Sequence, residues 1–356
     1  MTARRAELEA AIDRDPYDTR LYEVYGDYLQ QLGDPRGELI LLQIAAPGNP
    51  DAALAASTHF HRHAEAFVGT LPKRMRWRSA TRDGRVRWQN GFIHSAVVPA
   101  DAKQVRSLIS HPSGRFLIEL GIDYCDDGFA RATDVLASRV DTLRRLSLGT
   151  GPHSQHFGIG ALDELWPRIA RLRDLSIRAG AVFESIDLPE LETLEIEARG
   201  LQSETVRAIA HASWSNLVTL RLRLAVAAPP AREFGDLLAR ASMPCLTTLA
   251  VCHPDLDDVI ESLAATSLVR GLRVLDLSKT SEFVQPGARR LTDRGAAQLA
   301  RHADAFGHLD TLDVRGNRLS PVGVRLLAGI AKTLRADGQG EPDPDADDRD
   351  PDLYDY

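Results

Sequence analysis

One hydrophobic pattern recurs along most of the chain. Between Leu117 and Val314, a six-residue segment with aliphatic residues at its first, fourth and sixth positions occurs eight times. The eight segments read LIELGI, LRRLSL, LRDLSI, LETLEI, LVTLRL, LTTLAV, LRVLDL and LDTLDV. The alternation at the end of each segment is typical of a β-strand with one buried face. The sequence therefore predicts one short strand in each of these similar units.

The intervals between the segments predict how the strands are connected. Their first residues, from Leu117 to Leu309, are separated by 26, 29, 19, 26, 29, 26 and 37 residues. Connections such as SETVRAIAHASW and TDRGAAQLARHADAF carry apolar residues at helical spacing behind a Ser or Thr suited to an N-cap. A strand and helix of this size cannot bury their apolar faces alone, so the units must stack on one another. We predict an α/β solenoid with parallel strands on its concave face and helices on its convex face.

The last two units resemble a known class of repeat. LTDRGAAQLA at 291–300 and LSPVGVRLLAGI at 319–330 are similar to the helices of ribonuclease-inhibitor-like leucine-rich repeats. The resemblance implies a leucine-rich-repeat solenoid, which we expect to occupy residues 91–335. The class usually has Asn or Cys eight residues after the first Leu, and Asn stands there only at Asn317. We therefore expect an irregular solenoid, in which the 19-residue unit from Leu172 has room for a loop but not for a full helix.

Residues 1–46 predict a small helical domain separate from the repeats. Apolar spacing predicts helices at 3–12, 19–32 and about 36–46, separated by Asp-Pro and Gly-Asp-Pro breaks. The segment AIDRDPYDTRLYEVYGDYLQQLGDPRGELILLQ resembles the repeat-companion domain that precedes leucine-rich repeats in many bacterial proteins. The family commonly has Ala-Asp-Trp-Leu where this chain has Gly26-Asp27-Tyr28-Leu29. The resemblance implies a bacterial protein and no established activity.

Residues 47–90 predict a helical and strongly basic connector. The segment KRMRWRSATRDGRVR at 73–87 has seven basic residues and one acid. Basic residues interleaved with tryptophan can bind a nucleic-acid backbone and stack on its bases. The same residues can instead form an N-terminal cap of the solenoid, with tryptophans inward and arginines in water. Both interpretations stay open, and the candidate residues are Lys73, Arg74, Arg76, Trp77, Arg78, Arg85 and Arg87.

The predicted strands place charged residues on the concave face. The aliphatic side chains of each segment point inward, so the third, fifth and seventh positions point outward. Glu195 and Glu197 lie one unit from Arg221 and Arg223, and exposed neighbours of this kind can pair at about 0–1 kcal/mol each. Contact with a charged partner is the alternative use of these residues. The candidate partner-binding residues are Arg145, Arg178, Glu195, Glu197, Arg221, Arg223, Asp276, Asp313 and Arg315.

No catalytic or metal-binding constellation stands out in the sequence. GxxxxGKS/T, GxSxG and HExxH motifs do not occur. His59 and His63 are spaced to share one helix face, but no third ligand accompanies them, so we expect a solvated face and no metal site. Cys125, Cys245 and Cys252 are too irregular for a disulfide framework and suit a reducing compartment. We therefore expect no catalytic residues, no cofactor and no metal.

Charge and hydropathy limit where the chain is expected to work. The net charge is −7, yet residues 336–356 alone carry nine acids and one base, so the rest is close to neutral. This segment alternates acids with proline, which predicts a disordered acidic tail. No apolar run of about 18 residues and no N-terminal leader is apparent. We expect a cytoplasmic protein without membrane association.

These features favour binding over catalysis. Stacked repeats present an extended surface, and such surfaces commonly recognise other proteins. We expect a non-enzymatic adaptor or inhibitor that binds a protein partner through the solenoid surface, with no small-molecule substrate. The alternative is a nucleic-acid-associated regulator that uses the basic connector.

Overall fold

The fold is α/β, with strands and helices in alternation along most of the chain. The computed structural model describes residues 3–71, 85–123, 136, 140–150, 158–178, 180–279 and 291–340. Eleven strands of the described residues form an open, mostly parallel sheet. The chain divides into two compact units, unit 1 with residues 1–154 and 164–175, and unit 2 with residues 155–163 and 176–356.

Helices begin the chain and later connect the strands. In chain order they are α1 (Ala3–Arg14), α2 (Thr19–Gln31), α3 (Pro35–Ala45), α4 (Pro50–Arg62), α5 (Ala64–Val68), α6 (Ala102–Ser110), α7 (Ser203–His211), α8 (Ala231–Arg240), α9 (Leu256–Ala264), α10 (Asp293–Arg301), α11 (Ala303–Phe306) and α12 (Pro321–Leu326). The three predicted N-terminal helices are confirmed as α1 to α3. Asp18, Asp34 and Asn49 cap α2, α3 and α4, because each side chain accepts a hydrogen bond from a backbone N–H of the first turn.

The strands occupy all eight of the predicted positions. In chain order they are β1 (Val86–Gln89), β2 (Phe92–Pro99), β3 (Glu119–Asp123), β4 (Arg145–Leu148), β5 (Gly158–Ala161), β6 (Asp174–Ile177), β7 (Gly180–Val182), β8 (Thr193–Gly200), β9 (Thr219–Ala227), β10 (Thr248–Cys252), β11 (Val274–Asp276), β12 (Thr311–Asp313) and β13 (Thr333–Arg335). Every aliphatic residue at the first, fourth and sixth positions of the eight segments is at most 2% exposed. The predicted inward face of the strands is thereby confirmed.

Unit 1 combines the helical N-terminus with the first strands. Strand β1 pairs antiparallel with β2 through a tight turn at Asn90-Gly91, where both residues have left-handed backbone angles (φ 51° and 76°). Strands β2, β3 and β4 then pair in parallel. An aromatic core joins the helices to this sheet, since Phe92 and Phe116 pack with Tyr22 and Tyr25 from α2.

Unit 2 is a regular series of strands and helices. Strands β8 to β12 are parallel in register, so that Leu194, Leu220, Leu249, Leu275 and Leu312 form one continuous row. β13 adds Leu334 to this row at the far edge. Because each leucine packs between two neighbours, the stability of one strand depends on the strands beside it.

Hydrogen bonds between successive helices support this series. The Asp257 carboxylate of α9 accepts from the backbone N–H and the hydroxyl of Thr292, the N-cap of α10. Asp293 of α10 accepts in the same way from Ser320, the N-cap of α12. Asn317 is buried, donates to the carbonyls of Leu277 and Val314 and accepts from the N–H of Leu291. The interior ladder expected at this position is therefore formed at Asn317.

The short unit differs from its neighbours. The described part of residues 178–190 holds the strand β7 and no α-helix, as the length of this unit predicts. β7 pairs with β5 in a separate two-stranded sheet, which the sequence pattern did not predict. The preceding segment, LDELWPRIARL, forms a 3-10 helix at Trp166–Arg168. The predicted insertion at 280–290 and residues 341–356 lie outside the described residues.

The helices give no indication of a membrane span. Within the described ranges, no helix is both long enough and apolar enough to cross a bilayer.

Candidate functional site

Unit 2 carries most of the predicted partner-binding residues on one side of its strands. The fourth and sixth side chains of each segment are buried, so the fifth and seventh point to the opposite side of the sheet. We call these fifth and seventh positions the outward strand face. Its charged members from the end of β6 to β13 include Arg178, Glu195, Glu197, Arg221, Arg223, Asp276, Asp313, Arg315 and Arg335.

The register brings opposite charges together on this face. Glu195 lies beside Arg221 and Glu197 beside Arg223 on the adjacent strands β8 and β9, as the sequence predicts. Glu197 also forms an ion pair with Arg178, with an N–O distance of 3.6 Å. Because Arg178 follows β6, the pairs extend the row of alternating charges along the face.

The same alternation continues towards the last strands. Arg223 reaches Asp276 with an N–O distance of 3.6 Å. Asp313 accepts from Arg315 at 2.7 Å and lies 3.9 Å from Arg335. The carboxylates of Asp276 and Asp313 therefore each have an arginine within ion-pair distance.

Arg178, Arg315 and Arg335 are more exposed than the carboxylates they contact, whereas Arg223 and Asp276 are equally exposed, at 21% each. The side chain of Arg178 is 44% exposed and that of Glu197 6%. The side chain of Arg335 is 55% exposed and that of Asp313 5%. Short carboxylate side chains stay close to the sheet, whereas the longer arginines extend past them towards solvent. We call Arg178, Arg315 and Arg335 the arginine layer.

Unit 1 has a related row of ion pairs. Glu119 on β3 contacts Arg87 on β1 at 3.2 Å and Arg145 on β4 at 2.9 Å, and Arg145 also contacts Asp174 at 3.3 Å. His94 lies 3.6 Å from Glu119, and burial followed by the charge of Arg87 lowers the pKa of this histidine. Arg145, predicted from sequence as a partner-binding residue, is thus already paired on both sides.

The basic segment at 73–87 is described only at its end. Lys73, Arg74, Arg76, Trp77 and Arg78 lie outside the described residues. The carbonyl of Arg85 accepts from the backbone N–H of Val97, and Arg87 is paired as above.

Trp88, directly after the basic segment 73–87, is buried. Its ring lies edge-on to Phe60 of α4, with ring centroids 4.9 Å apart.

The residues that resemble the repeat-companion motif have a structural role. The Arg36 guanidinium donates to the carbonyl of Gly91 and, at 3.0 Å, to the hydroxyl of Ser113. The Gln43 side chain accepts from the Gly91 N–H at 2.7 Å. Two residues of α3 thus hold the turn between β1 and β2. The sequence analysis assigned them no role, although Asn90-Gly91 is a strong hairpin signal that could have located this turn.

The candidate ligands for metals are otherwise engaged. The expected solvated face is wrong for His59, which is buried because α4 packs against α3: its Nε2 lies 2.8 Å from the Pro35 carbonyl, and its Nδ1 lies 3.4 Å from Glu38. Across the described ranges there is no group of three or more His, Cys, Asp or Glu residues that could hold a metal ion. His63 packs ring to ring with His59 at 4.6 Å.

Two of the three cysteines are described, and both are free thiols. Cys245 is exposed, and Cys252 is partly buried. Burial raises the pKa of Cys252, so its thiol is protonated near neutral pH. Cys125 lies outside the described residues.

Comparison with known proteins supports the fold and adds no activity. No protein-family model matches the chain, and no curated protein matches it. Among solved structures, the chain is similar to the crystal structure of a Bacteroides fragilis protein determined by a structural genomics consortium. The two share 19% sequence identity with a TM-score of 0.54, over 67% of this chain and 70% of the other. At this identity the similarity describes the fold alone.

Proposed function

We propose that the chain is a non-enzymatic protein-binding module, an adaptor or inhibitor, that recognises an acidic surface of its protein partner. The observation that carries this proposal is the exposure of the arginine layer above buried carboxylates. Guanidinium groups present planar sets of N–H donors that match carboxylates in two-point contacts. A partner that offers Asp or Glu side chains would meet these donors first.

The carboxylates beneath the arginines contribute to binding indirectly. Glu197 and Asp313 fix Arg178, Arg315 and Arg335 in position before a partner arrives. Side chains that are already ordered lose less conformational entropy when a complex forms. The ion pairs that neutralise the outward strand face in the free protein therefore also preorganise its arginines for binding.

The class of repeat and the setting belong to the same proposal. The parallel strands followed by helices in unit 2, together with the Asn317 interactions, support a leucine-rich-repeat solenoid of the ribonuclease-inhibitor-like type. The α3 contacts to the first hairpin support a repeat-companion domain before it. We propose a bacterial protein, as these resemblances imply, and a cytoplasmic one, because free cysteines suit a reducing compartment.

The experiment compares capture of partner proteins by matched variants. Wild-type chain and the double variant Arg178→Gln/Arg335→Gln are used as baits in nuclease-treated extract of the source cells. The control bait is Arg207→Gln/Arg240→Gln, which removes two arginines from the helices α7 and α8 of the same unit. Both double variants lose two positive charges, so nonspecific charge effects are equal.

We expect an acidic protein to be retained by wild type and by the control bait. The face variant should recover it about fivefold less, since each lost exposed ion pair contributes up to about 1 kcal/mol. Equal recovery by all three baits would move the interface away from the arginine layer. Capture is repeated in untreated extract, and material that is retained there but lost entirely after nuclease treatment would instead favour the nucleic-acid alternative.

A further inference from the structure

A large cleft lies within unit 1. Its volume is about 1000 Å³, at the upper end of the range of small-molecule sites. The N-terminal helices supply one wall, with Arg5, Tyr25 and Arg36, and α6 with the segment after it supplies the other, with Arg106 and Arg115. Leucine, isoleucine, valine and phenylalanine side chains complete the lining, so the cleft has apolar as well as charged surface.

Arg36 in this cleft is a buried cation without a carboxylate partner. The residue is only 6% exposed, and its guanidinium lies over the rings of Phe92 and Phe67, 4.8 and 5.4 Å from their centroids. Its side-chain hydrogen bonds go to two neutral acceptors, Gly91 and Ser113. Within the described ranges, no carboxylate oxygen lies within 4 Å of it. Two of the five N–H donors of the guanidinium are used in this way.

This arrangement is unusual for a buried charge. Proteins normally pair a buried ion with an opposite charge, because removing an unpaired ion from water costs several kcal/mol. Burial lowers the pKa of Arg36 to about 10, so the group is still a cation at neutral pH. The two neutral acceptors hold the side chain in place, and the charge of Asp34 offsets part of the effect of burial from beyond ion-pair distance.

The other charges of the cleft favour an anion. Three acids, Glu9, Asp34 and Asp141, also line the cleft. Glu9 already accepts from Arg5 and from the Tyr25 hydroxyl, both at 2.8 Å, with Arg115 at 3.4 Å. Arg115 is also paired with Asp13 through two hydrogen bonds of 2.7 and 2.6 Å. Asp34 accepts from the backbone N–H of Arg36 as the cap of α3. Arg36 and the exposed Arg106 have no such partner among the described residues.

We propose that this cleft binds a small organic anion, with a phosphate or carboxylate group at Arg36 and Arg106 and an apolar portion against the aliphatic and aromatic lining. Such an anion would supply the charge that Arg36 lacks. The Arg36 guanidinium itself contacts the β1–β2 hairpin at Gly91 and the segment after α6 at Ser113, so the anion would bind where these elements meet α3. The site is separate from the protein-binding surface proposed above, although the sequence analysis expected no small-molecule ligand.

The test uses simple probes with one anionic group and one apolar group. Phenyl phosphate and benzoate are the anionic probes, and benzyl alcohol is the neutral probe of similar size. Binding to the full-length chain is measured by isothermal titration calorimetry and by the shift in thermal midpoint at constant ionic strength. The variants are Arg36→Met, Arg106→Ala and the control Arg20→Ala, which removes an exposed arginine of α2 outside the cleft.

We expect at least one anionic probe to bind wild type and Arg20→Ala saturably, with a dissociation constant below about 1 mM, and benzyl alcohol not to bind. Arg106→Ala should weaken binding about two- to fivefold, as expected for an exposed ion pair, and Arg36→Met should abolish it. Should Arg36→Met fail to fold, the Arg106→Ala result decides. Absence of binding to wild type, or equal binding to Arg106→Ala and Arg20→Ala, would overturn the proposal.

Discussion

The hydrogen bonds between the helices of unit 2 predict how much the substitution Asp293→Ala lowers the free energy of unfolding. The Asp293 carboxylate accepts from the Ser320 N–H at 2.9 Å and from the Ser320 hydroxyl at 2.5 Å. Ser320 in turn caps α12 by accepting from the Val322 N–H at 3.0 Å. Asp293→Ala removes the acceptor of two charge-assisted bonds and leaves the cap without its anchor.

The expected cost follows from these two bonds. A hydrogen bond to a charged group contributes about 1.5–3 kcal/mol when it is well shielded from water. Asp293 and Ser320 are half-buried, so water replaces part of what is lost. We expect Asp293→Ala to lower the free energy of unfolding by about 1.5–3 kcal/mol in total.

Gly323 gives an independent check on the same geometry. A Cβ atom at Gly323 would lie 2.0 Å from the Asp293 Oδ1, so Gly323→Ala forces the carboxylate to move. The carboxylate is absent in the Asp293→Ala background, so Gly323→Ala should cost less there than in wild type. The two substitutions are therefore expected to be non-additive by about 0.5 kcal/mol or more.

The measurement is urea unfolding followed by circular dichroism, with the midpoint compared at constant slope. Asp304→Ala on α11 is the matched control, because Asp304 is an exposed acid with no hydrogen bond to a helix cap. It should change stability by less than about 0.5 kcal/mol. Equal effects of the Asp293 and Asp304 substitutions would refute the reasoning, and so would strict additivity of the Asp293 and Gly323 substitutions.

Two further predictions concern the core of each unit. Leu275 is buried, so Leu275→Ala should lower the free energy of unfolding by about 2–5 kcal/mol. Leu32 is exposed, so Leu32→Ala should lower it little. Similar urea-unfolding midpoints for the two variants would contradict the strand register. Burial raises the pKa of Glu9, but the hydrogen bonds from Arg5 and Tyr25 and the charge of Arg115 produce a net lowering. Glu9 therefore stabilises the native state above its unfolded pKa of about 4.3 and loses this contribution as the pH falls through the folded value. The stability gap between wild type and Glu9→Gln should shrink below about pH 4, and a constant gap from pH 7 to 3 would count against the assignment.

The hydrophobic pattern predicted the sheet well because it depends on burial alone. The eight segments all form strands, and their aliphatic residues are buried. The last strand escaped the pattern because AKTLRA at 331–336 has alanine at its first and sixth positions, and only Leu334 aligns with the leucine row. β2 is not among the eight segments because Ala96 stands where the pattern has its central leucine.

Side-chain partnerships were less predictable than strands. The pairing of Glu197 with Arg178 needs the conformations of two long side chains as well as the register. The burial of Arg36 depends on a turn 55 residues away along the chain, and local sequence around Arg36 does not contain that contact. Strand periodicity therefore predicted where charges lie, but not which of them are shielded.

The central claim is that the arginine layer binds acidic groups, and a defined acidic probe tests it most directly. The affinity of a fluorescein-labelled dodecaglutamate peptide is measured by anisotropy for wild type, Arg178→Gln/Arg335→Gln and Arg207→Gln/Arg240→Gln. Loss of two exposed arginines from the face should remove about 1.4 kcal/mol, a tenfold weakening, while the helix-side control stays within about twofold of wild type. Binding should also weaken between about 50 and 200 mM salt, because added salt screens the attraction between the arginines and the peptide. Equal affinities of the two double variants would contradict the claim.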